Sequence, residues 1–396
     1  MKMMKYDEFI IEKVIHQEIT LPNDIKEIAK AYHDVGKELY VVGGAIRDFL
    51  QGKTPHDYDL TTNALPDESK KILKDWNVSD EQGKKFGVLR VFTKNEPLGH
   101  EIASFRKDIS GGRDNKGDDE KVEIGEHITI EDDCMRRDLT INSIFYDINK
   151  KEIVDLVGGI EDIKNNIIRC VGNPSDRFRE DRLRILRCLR FTTRIDGKID
   201  KKTSNAIHDD NRLKGIGTLD DVSQERIWEE MCKAFDQSKN YNNYLELLTE
   251  FDMWDQVFPG ADINSDLVDS KNFTIIITNL FKNDYSGNDF LNRLVQEYRI
   301  EGDLATKVEF LINFSDFDSE DVCKVYKKKR QCEIDDNTIL EWMEVNNLQE
   351  DKFIKFVDYR PSISSQELMA KGFRKKALGD EINRLEVEKF QSVIKG

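Results

Sequence analysis

The sequence predicts an α+β fold: a small mixed sheet at the N-terminal end, followed by a long all-helical remainder. Three observations carry this. Short runs of β-branched, aromatic and aliphatic residues crowd the first 160 positions. Beyond about 160 they nearly vanish, and helical spacing takes over. Proline is scarce, 7 in 396 residues, while charged residues make up 35%, a balance that suits long helices better than Pro-rich disorder.

The elements follow in order. ELYVVGG (38–44) is an apolar run ending in a glycine pair, and AIRDFLQG follows it, so the segment predicts strand, tight turn and short helix closed by Gly52. HDYDLTT (56–62) predicts a strand and LPDESKKILKDW (65–76) a helix. FGVLRVFT (86–93) and HEIASFR (100–106) predict two more strands. KDISGGRDNKGDDEK (107–121), polar with three glycines, predicts a long loop. DDCMRRDLTINSIFYDI (132–148) predicts a helix with an acid-rich start, and DLVGG (155–159) a turn. Helices are then expected to the end, Ser223 capping QERIWEEM and LGDEINRLEVEKFQSVI forming the last.

Composition narrows the function classes. No run of about 18 apolar residues exists, so no membrane partner is expected. The opening MKMMKYDEFIIEKVIHQEI has charges inside its apolar stretch and reads as something other than a secretory signal. Six cysteines at 134, 170, 188, 232, 323 and 332 form no CxxC pair; they fit reduced thiols in a cytoplasmic protein. A net charge of −16 argues against generic nucleic-acid binding. One local exception is 177–194, with seven arginines against Glu180 and Asp181. That segment is suited to meeting anions.

Several residues carry chemistry. Asp57 and Asp59 at spacing i, i+2 on a strand would share a face. Two adjacent carboxylates repel unless a cation lies between them, which is the geometry of a divalent metal site for phosphate chemistry. A solvated turn is the ordinary use of such a pair. Gly43-Gly44, between strand and helix, lets the backbone approach a phosphate, and Arg47 one turn on adds a charge-assisted contact; an ordinary strand-to-helix turn has the same pattern. Glu101, on an otherwise apolar strand face, either completes a three-carboxylate site or is an edge acid in water. In EDRLRILRCLR (180–190), read as one amphipathic helix, Asp181 and Arg184 stand at i, i+3. They form a surface ion pair or, as an acceptor beside a donor fork, pair with a base edge. KKKR (327–330) and Lys371 to Lys376 are basic enough to meet an RNA backbone or to serve as solvated helix faces.

The order of these motifs resembles a known family. YVVGGAIRDFLQGKTPHDYDLTT, CMRRDLTINSIFYD, VDLVGGIEDI, NPSDRFREDRLRILRCLRF and SQERIWEEM follow the pattern of class II tRNA nucleotidyltransferases, the CCA-adding enzymes, and of the bacterial poly(A) polymerases that share their head. LMAKGFRKKALGDEINRLE is similar to the family's tail. The resemblance implies a polymerase β-like nucleotidyltransferase head at 1–160. A helical neck that reads the base (161–235), a helical body (236–310) and a tRNA-binding tail (311–396) would follow. It implies addition of C, C and A from CTP and ATP to the tRNA 3′ end, without a nucleic-acid template. Asp57 and Asp59 would hold Mg2+, with Glu101 beside them. Gly44 and Arg47 would contact the triphosphate, Arg137 would face the nucleotide, and Asp138 would sense the ribose. Asp181 and Arg184 would read the base; Arg187 and Arg190 would be further nucleotide-side arginines. Glu225 and Arg226 would brace the reading helix, and DLVGG would be hinge-like. Lys84-Lys85-Phe86 is closer to the poly(A) polymerases, and the loop after Arg106 lacks the usual aromatic and proline-rich ending. A poly(A) polymerase, a partial CC- or A-adding enzyme, or a non-catalytic RNA-binding protein on the same scaffold are the alternatives. His208-Asp209, without further His and Asp at useful spacing, reads as a surface pair rather than a phosphohydrolase site.

Overall fold

The computed structural model describes residues 13–55, 57–80, 87–108, 122–212, 219, 222–285 and 289–395. The chain divides into two compact units, Met1–Ser223 with Asp236–Lys239, and Gln224–Phe235 with Asn240–Gly396.

The first unit is built on an eight-stranded sheet. Its strands are β1 (Lys13–His16), β2 (Leu39–Val42), β3 (Asp59–Thr62), β4 (Asn77–Ser79), β5 (Val88–Phe92), β6 (His100–Ser104), β9 (Ile144–Asp147) and β10 (Glu152–Asp155), with a separate ribbon of β7 (Lys107–Asp108) and β8 (Val122–Glu123). The sheet order is β1-β10-β9-β2-β3-β6-β5-β4. Only β3 and β6 run parallel; the other pairings are antiparallel. Strands β2 and β9 are buried along their whole length. Both faces are covered there, so LYVV and IFYD show no polar alternation.

Around the sheet lie α1 (Asn23–His33), α2 (Gly44–Leu50), α3 (Pro66–Ile72), α4 (Ile130–Met135) and α5 (Gly159–Lys164). They are followed by α6 (Pro174–Glu180), α7 (Leu183–Ile195) and α8 (Lys201–Arg212). Tyr40, Val42, Phe105, Cys134, Met135, Phe145 and Val171 form one shared core, in which the Tyr40 and Phe145 rings meet edge to face. The expected helix over 132–148 is corrected here. It stops at Met135, a short 3-10 turn covers Thr140–Asn142, and β9 begins at Ile144. Helical spacing lost to burial: Ile144, Phe145 and Tyr146 fill both faces of a central strand, where aromatic and β-branched residues pack well. Past residue 160 the only strands described are β11 (Ile167–Ile168) and β12 (Lys198–Ile199), a two-residue parallel pair.

The DLVGG turn is tightly bonded. The Asp155 carboxylate accepts the backbone N–H groups of Val157, Gly158, Gly159 and Ile160 at 2.8–3.1 Å. It thereby satisfies donors that the first turn of α5 leaves without partners.

The second unit is helical: α9 (Gln224–Gln237) as far as Phe235, α10 (Asn242–Glu250), α11 (Trp254–Val257), α12 (Phe273–Phe281), α13 (Phe290–Asn292), α14 (Gly302–Ser315), α15 (Val322–Gln331), α16 (Asp336–Val345), α17 (Asp351–Asp358), α18 (Ser365–Ala370) and α19 (Lys375–Lys395). Phe310, Phe314, Phe317, Trp342, Phe353, Phe356 and Phe390 anchor its main core. Buried Glu386 on α19 accepts the Tyr359 hydroxyl and the N–H groups of Ser362 and Ile363. In the KKKR run, Lys328 pairs with Glu309 at 2.8 Å and buried Lys329 pairs with Asp336.

Candidate active site

The site begins where β2 runs out. Gly43 has φ 77° and ψ −128°, a conformation that L side chains rarely adopt. A Cβ there would lie 3.7 Å from Asp59 Oδ2 and 3.8 Å from the Asn142 carbonyl oxygen. The turn therefore sits directly over Asp59. Register makes the same placement, since Val42 opposes Asp59.

The strand expected over 56–62 starts only at Asp59, so Asp57 precedes it rather than sharing it. The reason is topological. The chain turns away from the sheet after Val42, so no residue of β2 remains to pair with Asp57. The two carboxylates still feel each other. Burial pushes the Asp59 carboxyl up, Arg137 partly counters this, and Glu101 and Asp57 add to the rise. Asp59 nevertheless keeps an edge open to solvent, as does Asp57. A crowded acid beside a second acid, with one side accessible, is a hard-oxygen donor pair that fits a divalent cation.

Glu101 is one strand over. Leu60 pairs with Ile102 in the parallel ladder, so Glu101 neighbours Asp59 on the same face. Its partner is Arg90, directly across β5. Among the described residues no group of three His, Cys, Asp or Glu is gathered closely enough to hold a metal ion. Glu101 thus stands beside the dyad without completing a three-carboxylate cage.

Arg47 lies beneath the turn. It is 2% exposed and donates to Asn142 Oδ1 at 2.6 Å and twice to Asp48 Oδ1 at 2.8 and 3.0 Å. Its guanidinium also lies 5.1 Å from the Phe191 ring centroid. A Cβ on Gly44 would lie 3.4 Å from Arg47 Nη2. In this arrangement Arg47 holds the turn and Asn142 together from below. Sequence reading missed Asn142, whose Nδ2 is buried without a partner among the described residues. The signal was a lone amide in the apolar run of TINSIFYD.

A second cluster gathers the arginines. The single helix expected over 180–190 is broken: α6 ends at Glu180, α7 starts at Leu183, and Asp181 between them is extended at φ −147° and ψ 107°. Its carboxylate accepts the Leu183 N–H at 3.1 Å. A short acid that bonds a backbone donor two residues on favours a cap over a helix interior. Three arginines then grip one strip of the head. Arg177 donates to the Met135 carbonyl at 2.7 Å and Arg184 to the Arg136 carbonyl at 2.9 Å. Arg187 donates to the Asp138 carboxylate at 2.8 Å. Burial alone would raise the Asp138 carboxyl, but Arg187 and the Leu139 N–H bring it down to about 2. Arg184 also pairs with Glu180 at 2.8 Å and with Asp108 at 3.3 Å. Buried Arg190 donates to Gln237 at 2.6 Å.

The structure therefore brings Asp57, Asp59, Glu101, Gly44 and Arg137 to one end of the sheet, and Asp138, Arg184 and Arg187 to an adjoining strip. Arg190 is turned toward 236–239. Glu225 pairs with Arg299 inside the second unit. His208 and Asp209 lie on α8. Residues 109–121 and Lys84-Lys85-Phe86 lie outside the described residues.

Residues 39–169 match the family described as the poly A polymerase head domain, and 198–264 match a probable RNA and SrmB-binding site of polymerase A. The chain is 34% identical to poly(A) polymerase I of Salmonella typhimurium over 230 residues, 57% of this chain and 47% of that one. It is 39% identical to the CCA-adding enzyme of Lactobacillus helveticus over 210 residues, 52% of this chain and 48% of the other. It thus spans about half the length of the relatives it matches. Its fold is that of the Thermotoga maritima CCA-adding enzyme solved with tRNA, with a TM-score of 0.67, 20% identity, and coverage of 94% of this chain and 93% of that one.

Proposed function

Because residues 39–169 belong to the poly A polymerase head domain family, we propose that the protein adds C, C and A from CTP and ATP to the 3′ end of tRNA without a nucleic-acid template. The observation that carries this is the Asp57–Asp59 pair beneath the glycine turn, with Arg137 on its flank. Asp57 and Asp59 would hold a divalent cation, and their hard oxygens suit Mg2+. When bound, such a cation neutralises charge at the triphosphate and lowers the pKa of the attacking 3′-hydroxyl. Gly43 leaves the space above Asp59 free of side chain, room that a phosphate group would use. Arg137 supplies positive charge on the same side.

Base choice falls to Asp181 and Arg184. Arg184 here is bonded to Glu180, Asp108 and the Arg136 carbonyl. Reading a base requires it to exchange one of these for the ring. The tail would bind the tRNA backbone through Lys371, Lys375 and Lys376, which are exposed between the end of α18 and the start of α19. The six free cysteines accord with the cytoplasm as compartment. No described helix is long and apolar enough to cross a membrane.

The test is incubation with CTP alone, ATP alone or both, on tRNA ending at its discriminator base, followed by sequencing of the 3′ ends. CCA ends support the proposal. Long A tails would favour the second reading, a poly(A) polymerase, which the 34% identity to that enzyme keeps in play. A or CC alone would mark a partial enzyme, and no incorporation would leave an RNA-binding scaffold.

A further inference from the structure

Asp133 is fully buried within α4, and a buried carboxylate needs partners. It has two. Arg136 donates to Oδ1 at 2.7–2.8 Å and Arg137 donates to Oδ2 at 2.8 Å. Helical spacing explains the double grip, since positions i+3 and i+4 both come round to residue i. Burial would raise the Asp133 carboxyl, but Arg137 and then Arg136 pull it below the ordinary carboxylate range, so it stays charged.

Arg137 is held on three sides. Asp133 takes one Nη, the Phe145 ring lies 5.2 Å below the guanidinium, and Asp59 attracts it from the front. Its Nε is buried and has no partner among the described residues. A buried donor left without an acceptor is costly unless something else supplies one. The flank of the Asp57–Asp59 pair, where a phosphate oxygen would arrive, can supply it.

We propose that Asp133 is a positioning residue: its buried carboxylate fixes the Arg137 guanidinium beside Asp59, with the unpartnered Nε kept for the incoming triphosphate. The inference rests on the nucleotide-transfer reading above and deepens it. Without Asp133 the guanidinium is free to swing onto Asp59 itself, which removes the donor from the triphosphate and burdens the metal dyad.

The test is a double-mutant cycle on the full chain with Asp133→Asn and Arg137→Ala, reading CTP affinity by calorimetry and the single-turnover rate of C addition. Asp133→Asn is expected to lower the rate by about 10–100-fold, the range typical of residues that orient a functional group, and to weaken CTP binding. The double variant is expected to be no worse than Arg137→Ala alone, because both changes act through one guanidinium. Additive losses would mean that Asp133 merely supports the fold, and a wild-type rate in Asp133→Asn would remove its role; either overturns the proposal. If Asp133→Asn does not fold, Asp133→Glu enters the same cycle. If the wild-type chain adds nothing to RNA, the transfer reading fails. The calorimetric cycle then still decides the positioning role by whether the two losses of CTP affinity add.

Discussion

A buried carboxyl group next to others resists ionisation, and Asp59 shows it: burial raises its pKa, Arg137 offsets part of this, and Glu101 and Asp57 add to the rise. Asp59→Ala or Asp57→Ala should therefore abolish incorporation of both C and A while leaving the melting temperature unchanged or higher, since mutual repulsion is lost. Incorporation assays beside calorimetry check this, and near-normal C addition in either variant would remove the pair from the mechanism. Asp138 is the opposite case. Its folded pKa of about 2 lies below the ordinary 3.8, so its ionised form stabilises the fold. The contribution is complete above about pH 4 and is lost as pH falls toward 2. The shift corresponds to about 2 kcal/mol. Asp138→Asn should cost roughly that much in urea unfolding at neutral pH, and the gap from wild type should shrink steadily below pH 4. A gap independent of pH would place the loss elsewhere than in the Arg187 pair.

The break between α6 and α7 matters at the scale of elements. One continuous helix would keep Asp181 in register with Arg184; the break lets Asp181 accept the Leu183 N–H instead. Asp181→Ala should then have two effects. Loss of that bond should lower stability by about 1 kcal/mol, and discrimination against UTP and GTP should relax by more than triphosphate binding weakens. Equal loss for every nucleotide would contradict base reading by this residue. The β7–β8 ribbon adds a second lever. Asp108 ends β7 and pairs with Arg184, so the ribbon is tied to α7. Replacing 109–119 with a short Gly-Ser bridge, or Asp108→Ala, should lower A addition about tenfold with C addition nearly unchanged, a shift of 1–2 kcal/mol in a two-state balance. Separate measurement of C and A incorporation checks it. Unchanged A addition sinks the idea, and an equal fall in both would point to damage of the metal site.

Across the whole molecule, the proposed binding of a polyanion would have to coexist with a net charge of −16. Local surfaces have to do this. Part of the KKKR run is already committed to Glu309 and Asp336, whereas Lys375 and Lys376 are exposed at the start of α19. Lys375→Glu with Lys376→Glu should raise KM for tRNA several-fold, leave KM for CTP unchanged, and flatten the salt dependence of tRNA affinity by a slope of about 1.5. An unchanged slope would take these lysines out of the RNA-binding surface.

Local chemistry was legible in the sequence alone. The strand, glycine turn and helix of 38–52, the strands around 88–92 and 100–104, the mixed-sheet head and the helical remainder all follow from apolar period and from glycine's freedom at positive φ. So did the acids and arginines worth attention, because charge in an apolar or basic run stands out. Burial and pairing were decided only by the tertiary structure. Whether IFYD is helix or strand depends on neighbours on both sides, β10 from the adjoining hairpin and β2 from far back along the chain. Whether Arg47 faces solvent or lies under the turn depends on Asn142, ninety-five residues away. Arg184 reaches Asp108 across seventy-six residues, and Arg187 reaches Asp138 across forty-nine. A one-dimensional pattern records which groups are charged; which charges meet is set by the path of the chain between them.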